Sequence, residues 1–236
     1  MHEARQYTKL ENNGVKCSLC NHRCTIQPRT LSYSLGSIGC NFHCEHCQNW
    51  HISRAAFNEV GSSLRSLSPE EEVTRAIENR CASISWTYNE PAIWHEYPLD
   101  MGTIARTKGL GMHIETVTLV IPGHNDSPEE MERLICWVVE NLDPDMPMHF
   151  SAFHPDYRMT DRGATPVGTL EKIYELAKRL GVRYPYLGNV RSSRYENTHC
   201  PSCGTTLIER QGFATRILML DGTQCRICGE KIAIVR

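Results

Sequence analysis

Gly39-Cys40-Asn41-Phe42-His43-Cys44-Glu45-His46-Cys47 sets three cysteines in the spacing C-x3-C-x2-C, directly behind a short strand candidate at Leu31 to Ser37. Three thiolates on one short loop can each hold one iron of a cubane cluster and leave the fourth iron without a protein ligand. An open metal position distinguishes a catalytic site from a structural one. Here it can accept a chelating small molecule such as an amino acid. The plainer alternative is a zinc ion with a distant fourth ligand.

Outward from this loop, strand and helix signals alternate. Ser68-Pro69-Glu70-Glu71 carries an N-cap serine, a proline at the first helical position and a capping-box glutamate, and predicts a helix to about Arg80. Ala82 to Thr87 reads as a strand running into Tyr88-Asn89-Glu90-Pro91. Ile114 to Ile121 is apolar and β-branched, which predicts a buried strand. It breaks at Pro122-Gly123. Ser127-Pro128-Glu129-Glu130 repeats the capping signal and opens a helix to about Asn141. His149 to Phe153 reads as a strand, Thr165-Pro166 as the start of a helix that Gly181 ends, and Tyr184 to Val190 as a last strand. Strands alternating with helices predict a parallel sheet with βαβ crossovers, an α/β fold. Reactive groups in such sheets gather at the carboxyl ends of the strands. Each candidate motif begins where a strand ends.

The chain has 236 residues and a formal net charge of −2. No basic excess points to nucleic acid and no apolar run is long enough to span a bilayer. The polar opening MHEARQYTKLENNG lacks the apolar core of a secretory signal, so the cytoplasm is the expected compartment. Twelve cysteines are then poorly explained by disulfides. Ten fall in tight groups, which in a reducing compartment read as metal ligands. Cys81 and Cys136 stand alone and are expected to be buried structural thiols.

Cys200-Pro-Ser-Cys203-Gly and Cys225-Arg-Ile-Cys228-Gly form two CxxC knuckles. Four thiolates close a tetrahedral shell, so residues 196–236 read as a zinc-ribbon-like domain, with a rubredoxin-like iron site as the alternative. Cys17, Cys20 and Cys24 supply only three thiols in a Cys-rich lobe over residues 1–28. His22 or another cysteine would have to complete a zinc shell there. Zinc, a second cluster or no metal all stay open for that lobe.

The chain resembles the radical SAM superfamily. More narrowly it resembles the branch related to pyruvate formate-lyase activating enzyme, and most closely the radical SAM enzymes of the AmmeMemoRadiSam system. The matching stretches are GCNFHCEHCQNW at 39–50, TYNEPAIWHEY at 87–97, VTLVIPGHND at 117–126, HFSAFHPDYRMTD at 149–161, YLGNV at 186–190 and ENTHCPSCGTTLIERQGF at 196–213. The resemblance implies a partial (β/α) barrel over residues 29–195. It implies a [4Fe–4S] cluster on Cys40, Cys44 and Cys47, and S-adenosylmethionine (SAM) chelating its open iron. His46 stands where an aromatic residue often touches adenine. Tyr88-Asn89-Glu90-Pro91 takes the place of the Gly-Gly-Glu motif that contacts the SAM amino group, although a helix-capping role for Glu90 is the plain alternative. Pro122 and Gly123 match a strand end lining the SAM pocket. His149, His154, Asp156 and Tyr157 are expected together at one strand mouth, in contact with SAM or substrate.

The implied activity is reductive cleavage of SAM to a 5′-deoxyadenosyl radical that abstracts hydrogen from an unidentified substrate. Glycyl-radical activation of a protein substrate is one alternative, and a non-catalytic metal-binding interaction module is another. Implied partners are a low-potential electron donor of the ferredoxin or flavodoxin type and AMMECR1-type and Memo-type proteins. Membrane and nucleic acid are not expected.

Two family segments have no counterpart, one near Pro28–Arg29 and one between Lys108 and His113, where the family carries two further strand–helix units. A βαβ unit takes about 30 residues or more, so Gly109-Leu110-Gly111 offers only a turn. A barrel without those strands is expected to have open edges.

Overall fold

The structure is a computed structural model that describes residues 7–9, 15–17, 25–26, 32–56, 58, 66–81, 83–87, 89–110, 113–190, 193–211 and 214–234. The chain divides into two compact units, Met1–Met112 and His113–Arg236.

In the first unit, β1 (Tyr7–Lys9), β2 (Val15–Cys17) and β3 (Thr25–Ile26) form a small antiparallel sheet. β4 (Ser32–Leu35) pairs in parallel with β5 (Ser83–Trp86), Leu35 opposite Trp86. Between them run α1 (Trp50–Ser53) and α2 (Pro69–Glu78). The expected capping box starts α2: Ser68 Oγ accepts from Glu71 N at 3.2 Å, and Glu71 accepts from Ser68 N at 2.7 Å. After β5 come a 3-10 turn, Pro91–Trp94, and α3 (Glu96–Thr107). Val73 of α2 and Met101 and Ala105 of α3 form a core that also takes Leu35, Ile84 and Trp86 from the strands. Apolar spacing of four on α3 thus covers one face of the β4–β5 pair.

In the second unit, β6 (Thr116–Val120), β7 (Met148–Ala152) and β8 (Pro185–Gly188) form a parallel sheet in that order. The crossovers are α4 (Pro128–Asn141) and α5 (Val167–Arg179). Ser127 caps α4 by accepting from Glu130 N at 3.2 Å. Met148, Phe150, Ala152 and Leu187 face the helices and are buried with Met131, Ile135, Leu170 and Ile173. The alternate residues His149, Ser151, Tyr186 and Gly188 are only half-buried, on the face without helices. The sequence predicts a buried strand around Ile114 to Ile121, but Ile114 is 57% and Val117 69% exposed. β6 is an edge strand, and its helix-free face has no cover within this sheet.

The tail continues through a helical turn, α6 (Ser193–Glu196), and five short strands: β9 (Thr198–His199), β10 (Thr206–Gln211), β11 (Ala214–Ile217), β12 (Leu220–Asp221) and β13 (Gln224–Cys225). Its core of Leu207, Leu220, Ile232 and two cysteines also holds Tyr184, which leads into β8. Cys81 and Cys136 are half-buried, where the sequence suggests full burial.

Candidate functional site

The three-cysteine loop leaves β4 and returns through α1. Gly39, at φ 80°, adopts the left-handed conformation that favours glycine, and turns the chain into the loop. Two backbone bonds tie the loop's start to α1: Gly39 N donates to Ile52 O at 3.1 Å and Cys40 N to Ser53 O at 3.0 Å. Cys47 N donates to Cys44 O at 3.3 Å, and Cys47 Sγ is 3.4 Å from Ser53 Oγ, on a buried serine. Arg54 holds the outer side of the loop by donating to the Phe42 carbonyl. Burial pushes the Cys44 thiol above its ordinary value, and the charges of Cys47, Cys40 and, more weakly, Glu90 push it further. His46 is half-buried.

The segment after β5 closes on this loop. Thr87 N donates to Leu35 O at 2.7 Å, carrying the parallel ladder one step past the strands. Asn89 Nδ2 then donates to Ser37 O at 2.6 Å and to Gly39 O at 3.2 Å, bracing the residues that lead into Cys40. Glu90 Oε1 accepts from Ala92 N at 3.2 Å, so Glu90 caps the 3-10 turn that Pro91 begins, and its charge also reaches Cys44. Tyr88 lies outside the described residues.

Three polar atoms of this segment, Trp86 Nε1, Asn89 Oδ1 and Trp94 Nε1, are buried without a hydrogen-bond partner among the described residues. Buried polar atoms in native proteins are nearly always paired, and Asn89, bonded to Ser37 and Gly39, leaves its amide oxygen available beside the thiol loop. An orphaned amide oxygen next to a carboxylate is the complement of an ammonium. The residues present thus fit a cluster-bound amino-acid-like ligand.

In the second unit, side chains pin the carboxyl ends of the strands. Asn125 accepts from Ile121 N at 2.7 Å and donates to Leu119 O at 3.0 Å, shaping the Pro122-Gly123 turn in which Gly123 has φ 75°. Arg162 donates to Pro122 O at 3.1 Å. Thr165 Oγ1 donates to Val120 O at 2.6 Å and accepts from Phe153 N at 2.9 Å, joining the ends of β6 and β7. Asn189 Nδ2 donates to Ala152 O at 3.0 Å, joining the ends of β7 and β8. His154 is exposed just past β7. Asp156 and Tyr157 form a turn in which Asp156 Oδ1 accepts from Tyr157 N at 2.6 Å.

His149 does not join His154, Asp156 and Tyr157 at one mouth, as the sequence suggests. It is the second residue of β7, and five residues of strand span about 16 Å. Its Nε2 lies 2.9 Å from Glu115 Oε2, while His113 Nε2 lies 2.8 Å from Glu115 Oε1. Its ring stacks on Tyr186, with centroids 5.0 Å apart. Glu115 escapes sequence reading. The available signal is its parity: Val117 pairs with His149, so Glu115, two residues earlier, shares that face.

In the tail, the sulfurs of Cys200, Cys203, Cys225 and Cys228 all lie within 4.8 Å of one another, a group that can hold one metal ion. No other such group occurs among the described residues. The side chain of Cys17 and all of Cys20, His22 and Cys24 lie outside the described residues. Among the described residues, no helix is long and apolar enough to cross a membrane.

The profile of the radical SAM superfamily matches residues 35–188, from the end of β4 to the end of β8. An uncharacterized protein of Methanocaldococcus jannaschii, MJ0808, is 32% identical over 334 aligned positions that cover all of both chains. With 236 residues, this chain cannot fill those positions, so the relative carries segments that have no counterpart here. No solved structure matches the chain. The superfamily match begins at the strand that delivers the three-cysteine loop and spans most of the sequence: the chain belongs to the radical SAM superfamily.

Proposed function

We propose that this protein is a radical SAM enzyme in which Cys40, Cys44 and Cys47 ligate a [4Fe–4S] cluster. The carrying observation is the three-thiol loop that follows β4 and is held by Gly39 N donating to Ile52 O, Cys40 N to Ser53 O and Asn89 Nδ2 to Gly39 O. When bound, the reduced cluster supplies one electron to SAM and yields methionine and a 5′-deoxyadenosyl radical, which abstracts hydrogen from a substrate.

The chain's own residues bind and orient. Asn89 holds the entry to the thiol loop through Ser37 and Gly39. Its orphaned Oδ1 and the Glu90 carboxylate are acceptors for the SAM ammonium, and Trp86 and Trp94 offer donors. His46, Tyr88 and Pro91 complete that set of SAM residues. In His113–Arg236, Pro122, Gly123 and His154 at the carboxyl ends of the strands are the residues proposed to meet SAM or substrate, while His149 is engaged with Glu115 and Tyr186. The parallel strands lie in separate sheets of two and three, the strand–helix units from which a partial (β/α) barrel is proposed to be built.

The quoted motifs favour the AmmeMemoRadiSam branch over glycyl-radical activation. On that reading the protein works in the cytoplasm with a ferredoxin- or flavodoxin-type donor and AMMECR1-type and Memo-type partners. A non-catalytic metal-binding module has less support, because scaffolding needs neither a three-thiol loop nor an acid beside it.

The test is anaerobic reconstitution with iron and sulfide, then dithionite and SAM, assaying 5′-deoxyadenosine against Cys40→Ala. Deoxyadenosine from the wild type alone supports the enzyme. A cluster that forms without deoxyadenosine overturns it in favour of the module.

A further inference from the structure

The tail cysteines lie beyond the superfamily match, which ends at residue 188. Cys200 Sγ lies 3.5 Å from Cys228 Sγ, and Cys203 Sγ 3.7 Å from Cys225 Sγ. The two knuckles are built alike. Gly204 N donates to Cys200 O and Gly229 N to Cys225 O, both at 2.9 Å. Both glycines have positive φ, 72° and 74°, which lets the chain curl around its sulfurs. Four thiolates at this spacing with no position left open form the closed donor shell that zinc takes in structural sites.

The knuckles are fastened to the approach of β8. Arg183 pairs with Asp145, ahead of β7, at 2.8 Å and with Glu230, just after the second knuckle. Ser202, inside the first knuckle, donates to the other oxygen of Glu230 at 2.7 Å. Tyr184 is buried against Cys200 and Cys225, and its hydroxyl accepts from Ala233 N at 3.2 Å. Its carbonyl accepts from Met148 N at 3.1 Å, which ties this residue to β7 as well. Two residues on, the Tyr186 hydroxyl shares a hydrogen bond with Thr198 Oγ1 at 2.9 Å. Arg210 of β10 donates to that oxygen at 2.6 Å and lies over the Tyr186 ring. The same ring stacks against His149.

We propose that Cys200, Cys203, Cys225 and Cys228 bind one zinc ion, and that this ion locks the entry of β8, fixing residues 183–186 and through Tyr186 the seat of His149. The argument is energetic. Five strands of two to six residues bury little apolar surface, so the ion supplies much of the tail's folding free energy. Without the ion the knuckles open, and Arg183, Tyr184 and Tyr186 lose the partners that residues 198–233 provide. The lock does not depend on how SAM is bound.

The test uses the full chain, handled anaerobically, with metal content and hydrogen–deuterium exchange as readouts. As isolated, the protein is expected to carry one zinc per chain. Stripping it with a chelator is expected to remove protection from residues 183–188 and 206–211 while residues 69–78 keep theirs, and restoring zinc to recover it. Arg183→Met separates the lock from the ion, since it is expected to keep its zinc yet exchange faster at 183–188. Iron in place of zinc, or zinc removal that leaves 183–188 protected, overturns the proposal.

Discussion

Asn89 donates a hydrogen bond of 2.6 Å to the carbonyl of Ser37, and with it the end of β5 braces the loop that carries Cys40. Asn89 is in the left-handed region at φ 72°, which asparagine tolerates better than most residues. Backbone and side chain are therefore both specified at this position, and two substitutions separate them. Asn89→Gly keeps the conformation and removes the bonds. Asn89→Ala removes the bonds and strains the backbone. Leaving the Ser37 and Gly39 carbonyls without their partner costs about 1–3 kcal/mol in local order. Both variants are expected to assemble a cluster and lose it faster to a chelator, Asn89→Ala the faster of the two, followed by the decay of the cluster's visible absorption. Wild-type retention in Asn89→Gly would show that the bond is dispensable.

Gly188, the last residue of β8, leaves room for Ser151 on β7. A β-carbon at Gly188 would meet Ser151 Oγ at 2.3 Å and Ser151 Cβ at 3.3 Å. Gly188→Ala is expected to destabilise the protein by about 1–3 kcal/mol through overpacking. Because the three nearest atoms all belong to Ser151, the added substitution Ser151→Gly should restore most of the loss. Denaturant midpoints of the two single variants and the double variant measure the coupling, and additive losses would refute it.

The parts of this fold that are legible in the sequence are those written in local chemistry. The two Ser-Pro-Glu-Glu stretches announce α2 and α4, because capping needs only residues three apart. The C-x3-C-x2-C loop and the CxxC knuckles are legible for the same reason. α3 is missed: His95 makes no side-chain cap, and the helix shows itself mainly through Met101 and Ala105, buried four residues apart. The exposure of Ile114 and Val117 is not legible either, since it depends on which strand lies at the sheet edge. Glu115 has local sequence like any strand-flanking acid, and its role comes from the register that sets Val117 opposite His149.

Thr165 is almost fully buried and serves two strands with one oxygen, donating to Val120 O and accepting from Phe153 N. Thr165→Val keeps the shape and leaves both backbone groups unpaired, at a cost of about 1–3 kcal/mol. Thr165→Ser keeps the oxygen and should cost less. Thermal unfolding is expected to rank the wild type above Ser and Ser above Val, and a Val variant more stable than the Ser variant would mean that the methyl group, not the hydroxyl, matters.

Glu115 gives the second unit an acid-sensitive contact. Its carboxyl is held down to about 2 from an ordinary 4.5, chiefly by its pairing with His149, with His113 adding to it against the opposing effect of burial. A carboxyl that is more acidic when folded stabilises the protein above its unfolded value, and that contribution fades as pH falls through the folded value. The window is therefore pH 4.5 down to 2. The side chain is 43% exposed, so solvent weakens the pair and the effect should be modest. Glu115→Gln is expected to unfold at a lower temperature than the wild type at pH 6, with the gap narrowing steadily as pH falls from 4.5 to 2. A gap that stays constant through that window would mean that Glu115 contributes through packing and not through its charge.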